Sequence, residues 1–246
     1  MTSRSLSGRM PFVATHSQTS SAPALPSGAV HPIASSRLNP PKGRPDMVAL
    51  GTWLWLASDL MFFATLFAAY FMIRQVTTDA AAPGTQTLWQ TGHATLSIPL
   101  AGIDTLILVS SSVTCQMGVM AAEHGKVSRS SGLLNVGKWG LREWYILTFI
   151  MGALFIAGQS LEYASLIHDG HTISSNVYFS AFFLATGFHG LHVTGGLIAF
   201  LFVLGRTYMT RTFTHEQAVS AMVISYYWHF VDFVWIILFS AIYLLG

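Results

Sequence analysis

His189 and His192 stand three residues apart inside one apolar run, residues 176–205. Side chains three apart share a helix face, and imidazoles can carry protons, accept hydrogen bonds or bind metal. Four glycines, at 187, 190, 195 and 196, remove bulk beside that face, so a neighbouring helix or a lipid can come close. Other apolar runs hold further ionisable groups: Asp59, Asp104, Glu162, His229 and Asp232. Within a membrane such groups are costly and need partners. His229 and Asp232 are again three apart, and an aspartate can hold an imidazole in one tautomer or stabilise its cation. His189, His192, His229 and Glu162 have the donor types of a metal or haem site. Carboxylate-bridged sites in helical bundles, however, use repeated Glu-x-x-His pairs, which are absent here. The 189/192 spacing is compatible with a shared metal without being diagnostic. No phosphate-binding glycine loop, Gly-x-Ser-x-Gly elbow or HExxH motif occurs.

The elements that must position these groups follow from composition. The chain is 52% apolar, 13% aromatic and 9% charged, where soluble domains carry about 25% charged residues. Mean hydropathy is +0.52. Five apolar runs, at about 48–74, 97–122, 143–167, 176–205 and 219–245, each exceed the ~18 residues that suggest a spanning helix. Backbone in hydrocarbon must bond within itself. The expected fold class is therefore all-α, a polytopic membrane bundle of five transmembrane helices with short connections, over residues 46–246. Residues 1–45, rich in Ser, Thr, Pro and Gly, read as a disordered cytoplasmic tail. They have no apolar stretch like that of a secretory signal, and Met10 is an alternative start.

Basic residues set the expected orientation. They occur in the tail (Arg4, Arg9, Arg37, Lys42, Arg44), the second connection (Lys126, Arg129, Lys138, Arg142) and the fourth (Arg206, Arg211). The first and third connections, about 75–96 and 168–175, contain none, and only Arg74 departs from the pattern. The positive-inside rule then places the N-terminus in the cytoplasm and the C-terminus outside. Trp53, Trp89, Trp139 and Trp144 lie near span ends, where an interfacial belt would be. The net charge of +2 does not suggest a nucleic-acid partner, and the single cysteine, Cys115, reads as a packing residue.

For the intramembrane acids both structural and functional readings stand. Asp59, after Ser58 and before Leu60-Met61-Phe62-Phe63, is either a protonatable or lipid-contacting site or a hydrogen-bond partner for a neighbouring helix. Asp104 and the hydroxyls at Ser110, Ser111, Ser112 and Thr114 read as structural, the serines bonding back to their own helix. Glu162 lies toward the outer end of its run and reads as a structural hydrogen bond, with a proton relay as the alternative. His229 and Asp232 read as a local pair.

These motifs, taken together, closely resemble subunit III of the haem–copper cytochrome c oxidases. Phe182 to Val193, containing Thr186-Gly187-Phe188-His189-Gly190-Leu191-His192, looks like that family's signature on its penultimate helix. Tyr227 to Trp235 looks like the signature on the last helix, and Gln159 to Tyr163 contains its Glu-Tyr pair. Trp55 to Phe63 resembles the segment where the family usually has Ser-Glu, with Asp59 one methylene shorter. The five runs resemble the short bacterial form, which lacks the first two of seven helices. The resemblance implies a non-catalytic subunit of an aa3-type oxidase in the bacterial plasma membrane, with no cofactor or metal of its own. Haem and copper would sit in partner subunits I and II. The helices would form two groups separated by a lipid-filled cleft, and the chain would stabilise subunit I and support proton uptake.

The same resemblance implies bound phospholipid at Asp59, His189 and Arg206, while Glu162, His192, His229 and Asp232 read from their own chemistry as a structural polar network. His124 and His215, on the cytoplasmic side, would help collect protons. Subunit III of a quinol oxidase is the alternative, and membership of a supercomplex with a cytochrome bc complex is left open. A free-standing transporter is a third class, disfavoured by the lack of any repeat between halves.

Overall fold

The computed structural model describes residues 47–82, 84–128, 138–209 and 215–245, apart from the side chain of His215. The tail expected at 1–45 lies outside the described residues, as do Arg129 and Arg211. The helices are α1 (Met47–Asp79), α2 (Leu88–Ala94), α3 (Ile98–Glu123), α4 (Leu141–His168), α5 (Val177–Met209) and α6 (His215–Phe239). A π-helical turn, Ser240–Leu244, continues α6. Five of these elements, all but α2, are long and apolar enough to cross a membrane. The expected spans are recovered, with α1 and α5 running several residues beyond the apolar runs that announced them.

Two of the helix ends are closed by a glycine in the left-handed region. After α3, Gly125 has φ +68°, and Lys126 N–H donates to Ala121 at 2.8 Å. After α4, Gly170 has φ +85°, and His171 N–H donates to Leu166 at 2.8 Å. These turns pair carbonyls that a helix end otherwise leaves open.

Helices α3, α4, α5 and α6 form a ring in which α3 and α5 each pack against both α4 and α6. Helix α1 leans on α5 and α6 from outside. Lipid tails are as apolar as leucine, so this packing is held by close contact and interhelical hydrogen bonds rather than by expulsion of water. Trp228 is the clearest instance. It is fully buried, and its indole N–H donates to Ser111 of α3 at 2.8 Å. Its ring lies against Gly152 of α4 and Gly196 of α5; an added Cβ would come within 2.6 and 2.9 Å of it. One side chain therefore touches every helix of the ring, in a slot only glycine leaves open. Tyr145 does the same lower down, pressed on Gly118 of α3 and donating to Ala221 of α6 at 2.9 Å. Of the glycines expected to admit a neighbour, Gly196 does so, while Gly190 faces open space.

The first connection holds an element the apolar runs did not announce. Helix α2 starts at a capping box: Thr87 Oγ1 accepts from Gln90 N–H at 3.3 Å, and Gln90 Oε1 accepts from Thr87 N–H at 3.1 Å. It lies across the ends of α1 and α5. Trp89, expected at an interfacial belt, is instead buried, with its N–H on Thr77 Oγ1 at 2.6 Å and its ring edge-on to Tyr70 and Tyr178. His93 Nε2 lies 3.0 Å from the Tyr243 carbonyl and ties α2 to the end of the π turn. Trp53, by contrast, is exposed, as a belt residue would be.

Candidate functional site: polar groups at membrane depth

The expected ionisable residues resolve into three clusters and one isolated ring. The first joins α1 to α5. His192 Nε2 lies 3.1 Å from Asp59 Oδ2. Its Nδ1 lies 2.7 Å from the Phe188 carbonyl. A carbonyl only accepts, so Nδ1 carries hydrogen, and the Nε2–carboxyl contact needs a second proton on one side or the other. The hydrogen bond across the two helices is from the ring to Asp59 Oδ1 at 3.4 Å. Tyr227 of α6 donates to the His192 carbonyl at 2.8 Å and stacks on Trp55 of α1. Beside the pair is a groove of about 640 Å³ lined by Thr52, Trp55, His192, Gly195, Ala199 and Tyr227, among others. It opens between α1 and the ring, the two groups of helices.

The second cluster joins α3 to α6. Ser112 donates to Asp232 Oδ2. His229 Nδ1 lies 3.0 Å from Ser112 Oγ, and His229 Nε2 lies 3.3 Å from the Gln116 side-chain amide. Ser112 has one hydrogen and gives it to Asp232, so the ring's Nδ1–H donates to Ser112. His229 and Asp232, expected to pair directly, are thus joined through a serine on another helix.

The third cluster lies near the opposite ends of α3, α4 and the π turn. Tyr243 donates to Glu162 Oε2 at 2.8 Å, and Gln159 Nε2 donates to it at 3.2 Å. Glu162 is buried within the protein. Asp104 of α3 is buried too, its carboxyl pressed on Gly158, where an added Cβ would meet it at 2.0 Å.

His189 stands alone. It is 1% exposed, and among the described residues neither ring nitrogen has a hydrogen-bond partner. Its ring stacks on Trp235 at 4.9 Å and meets Phe155 edge-on. The His189 side chain, expected at a lipid head group, lies among Phe155 and Trp235 inside the ring of helices, while His192 lines the groove. Three residues along a helix leave the two side chains about 60° apart around its axis, and at the edge of a packed face that puts His189 inside and His192 at the groove. Arg206 is exposed in the last turn of α5, its guanidinium 5.9 Å from the Phe202 ring. It lies four turns from His192, so the structure does not bring the expected lipid residues to one point.

His124 caps α3 with Nδ1 2.7 Å from the Met120 carbonyl. His215 opens α6, and its side chain lies outside the described residues. Among the described residues no three His, Cys, Asp or Glu side chains gather as a metal would need. Sequence reasoning passed over Gln116, Tyr227 and Tyr243 as partners, and read Ser112 as bonded to its own helix. A single polar atom in an apolar run has no periodicity to reveal its partner across a helix pair. The capping box before α2 was, however, a readable signal.

Comparison with known proteins agrees over the membrane-spanning part. The family model for cytochrome c oxidase subunit III matches residues 45–246. The probable cytochrome c oxidase subunit 3 of Nocardia farcinica is 53% identical over 200 residues, covering 81% of this chain and 89% of that protein. The corresponding Mycobacterium tuberculosis protein is 52% identical with the same coverage. Cytochrome c oxidase subunit 3 of Corynebacterium diphtheriae is 48% identical, again over 81% and 89%. With the family model matched over most of its length, the chain belongs to the cytochrome c oxidase subunit III family.

Proposed function

We propose that this chain is a supporting subunit of an aa3-type cytochrome c oxidase, with haem and copper held by partner subunits I and II. It sits in a bacterial plasma membrane with its N-terminus in the cytoplasm. Its work is to hold subunit I in shape during turnover and to keep protons available for uptake. The observation that carries this reading is the Asp59–His192 pair at the wall of the groove between α1 and α5–α6. A polar pair beside a largely apolar groove suits an ordered phospholipid chain lying next to a polar membrane site.

Orientation is supported by the basic residues. Arg142, at the start of α4, donates to the Thr207 carbonyl at the end of α5, so these two basic helix ends meet on one side. Lys126 accepts from Leu141 N–H at 2.9 Å on the same side. The reading has Arg206, one helical turn inside the end of α5, attract an anionic head group whose chain runs toward the groove. His192, held by Asp59, lines the groove beyond it. His124 and the His215 position remain the proposed proton collectors.

The experiment is gentle purification of the oxidase through a tag on this chain, with an optical spectrum, mass spectrometry and extended turnover. The expected result is haem absorbance on copurifying chains, and activity that decays faster when this chain is stripped away. A copurifying copper-bearing entry subunit identifies cytochrome c as donor. Haem bound to this chain alone, or turnover indifferent to its removal, overturns the reading.

A further inference from the structure

The face shared by α3 and α6 is polar at a depth where lipid cannot satisfy it. Ser112 and His229 lie near the midpoints of their spans, Ile98–Glu123 and Glu216–Leu244. Elsewhere on the outward surface, Ser58, Thr65, Ser160 and Thr194 return their hydroxyls to the carbonyl one turn back. Gln116 has no such recourse. It is exposed, and only one atom of its amide meets His229. An exposed primary amide in hydrocarbon leaves hydrogen-bonding capacity unmet, at a cost that membrane proteins avoid by turning such groups to a neighbour.

Around Gln116 the surface is apolar and broad: Val109, Val113 and Met120 on α3, and Phe233 and Ile236 on α6, are all exposed. A hydrogen-bonding centre in an apolar surround is the pattern of a helix–helix contact in membranes. A phospholipid is a poor occupant, because its polar atoms lie at the interface and its chains offer no donor or acceptor at this depth.

We infer that the α3–α6 face centred on Gln116 is where a membrane-spanning helix of another oxidase subunit docks, presenting a hydroxyl or amide side chain to the Gln116 amide. The Gln116–His229–Ser112–Asp232 chain then runs from the subunit boundary into this bundle. This rests on the subunit role proposed above and assigns the face that serves it.

The test places a photoreactive phenylalanine at Val113, beside the polar centre and leaving it intact, in the full chain within native membranes. The same residue at Ile198, exposed on α5, is the control. The expected product at Val113 is a covalent adduct with a different membrane-spanning polypeptide of the oxidase. Adducts with lipid alone, or with a second copy of this chain, overturn the inference.

Gln116→Leu provides a second readout. Being exposed, it leaves the bundle able to fold, and the haem recovered per tagged chain should fall about threefold, as loss of one interhelical hydrogen bond implies. Unchanged recovery overturns the amide contact. If no haem-bearing chain copurifies even from the unaltered protein, the subunit role itself fails. If haem copurifies while Val113 marks only lipid, only the docking face fails.

Discussion

The two mid-depth polar clusters are built from the same residue types and end differently. On the α1–α5 side, Asp59 and His192 close on each other at 3.1 Å, and the Phe188 carbonyl takes the remaining ring N–H. On the α3–α6 side, Asp232 and His229 never meet. Ser112 stands between them, and the chain continues outward to an exposed amide. The first pair closes within one polypeptide, beside a largely apolar groove. The second is complete only if something outside supplies a partner. Polar residues in a membrane therefore carry different information according to whether their hydrogen bonds end inside the chain.

The difference is broken most severely by removing what holds the α3–α6 side together. Trp228→Ala empties the slot between Gly152 and Gly196 and strips Ser111 of its donor. A large buried aromatic cut to alanine costs about 3–5 kcal/mol. Thermal melting of the purified complex should fall sharply. The matching change on the other side, Trp55→Ala, removes a ring that is 53% exposed and stacked only on Tyr227, and should move the melting point far less. Equal losses would show that the ring of four helices is not the rigid part of the bundle.

Next in size is Ser112→Ala. It leaves Asp232 without its donor and His229 Nδ1–H without an acceptor. Stranding a buried polar group costs roughly 1–3 kcal/mol. The predicted signature is lost stability that Ser112→Thr, which keeps the hydroxyl, largely restores. If Ser112→Ala melts like the unaltered complex, the serine bridge contributes nothing and the two clusters differ only in appearance.

These two clusters also mark how far the sequence could be read. Apolar run length announced all five spans, because in hydrocarbon the backbone has no alternative to helix. Asp59, Glu162, His192, His229 and Asp232 were recognisable from the same logic, being ionisable groups where ionisable groups are expensive. Their partners were not. Whether His229 meets Asp232 or Ser112 depends on the rotation of α3 against α6, which is set by Trp228 entering a slot two glycines wide. His189 and His192 looked equivalent at three-residue spacing, yet one is sealed against Trp235 and the other faces a groove. Trp89 read as a belt residue because it lies at a span end, but the Thr87–Gln90 capping box starts a short helix that turns it inward. Local chemistry was legible; the relative rotation of neighbouring helices was not.

The closed pair is sharpened by a double-mutant cycle on Asp59→Ala and His192→Phe. Interhelical hydrogen bonds in membranes average about 0.6 kcal/mol and reach about 1.7. The coupling between these residues should fall in that range, read from unfolding of the complex in a denaturing detergent series. Additive effects of the two changes would mean that the 3.1 Å contact carries no energy.

The smallest expected effect is also the most informative about the groove. Asp59→Glu lengthens the side chain by one methylene and keeps the carboxyl. His192 lines the groove, so its ring can shift toward that space and still meet the longer carboxyl. Stability should change by no more than about 0.5 kcal/mol, the range of substitutions that strand nothing. The measurable change is in the groove itself, where a ring displaced outward reduces apolar space and should lower the phospholipid that copurifies per chain. A stability loss as large as that of Ser112→Ala would mean that the α1–α5 side is packed as tightly as the α3–α6 side, and that the groove beside His192 has no room to give.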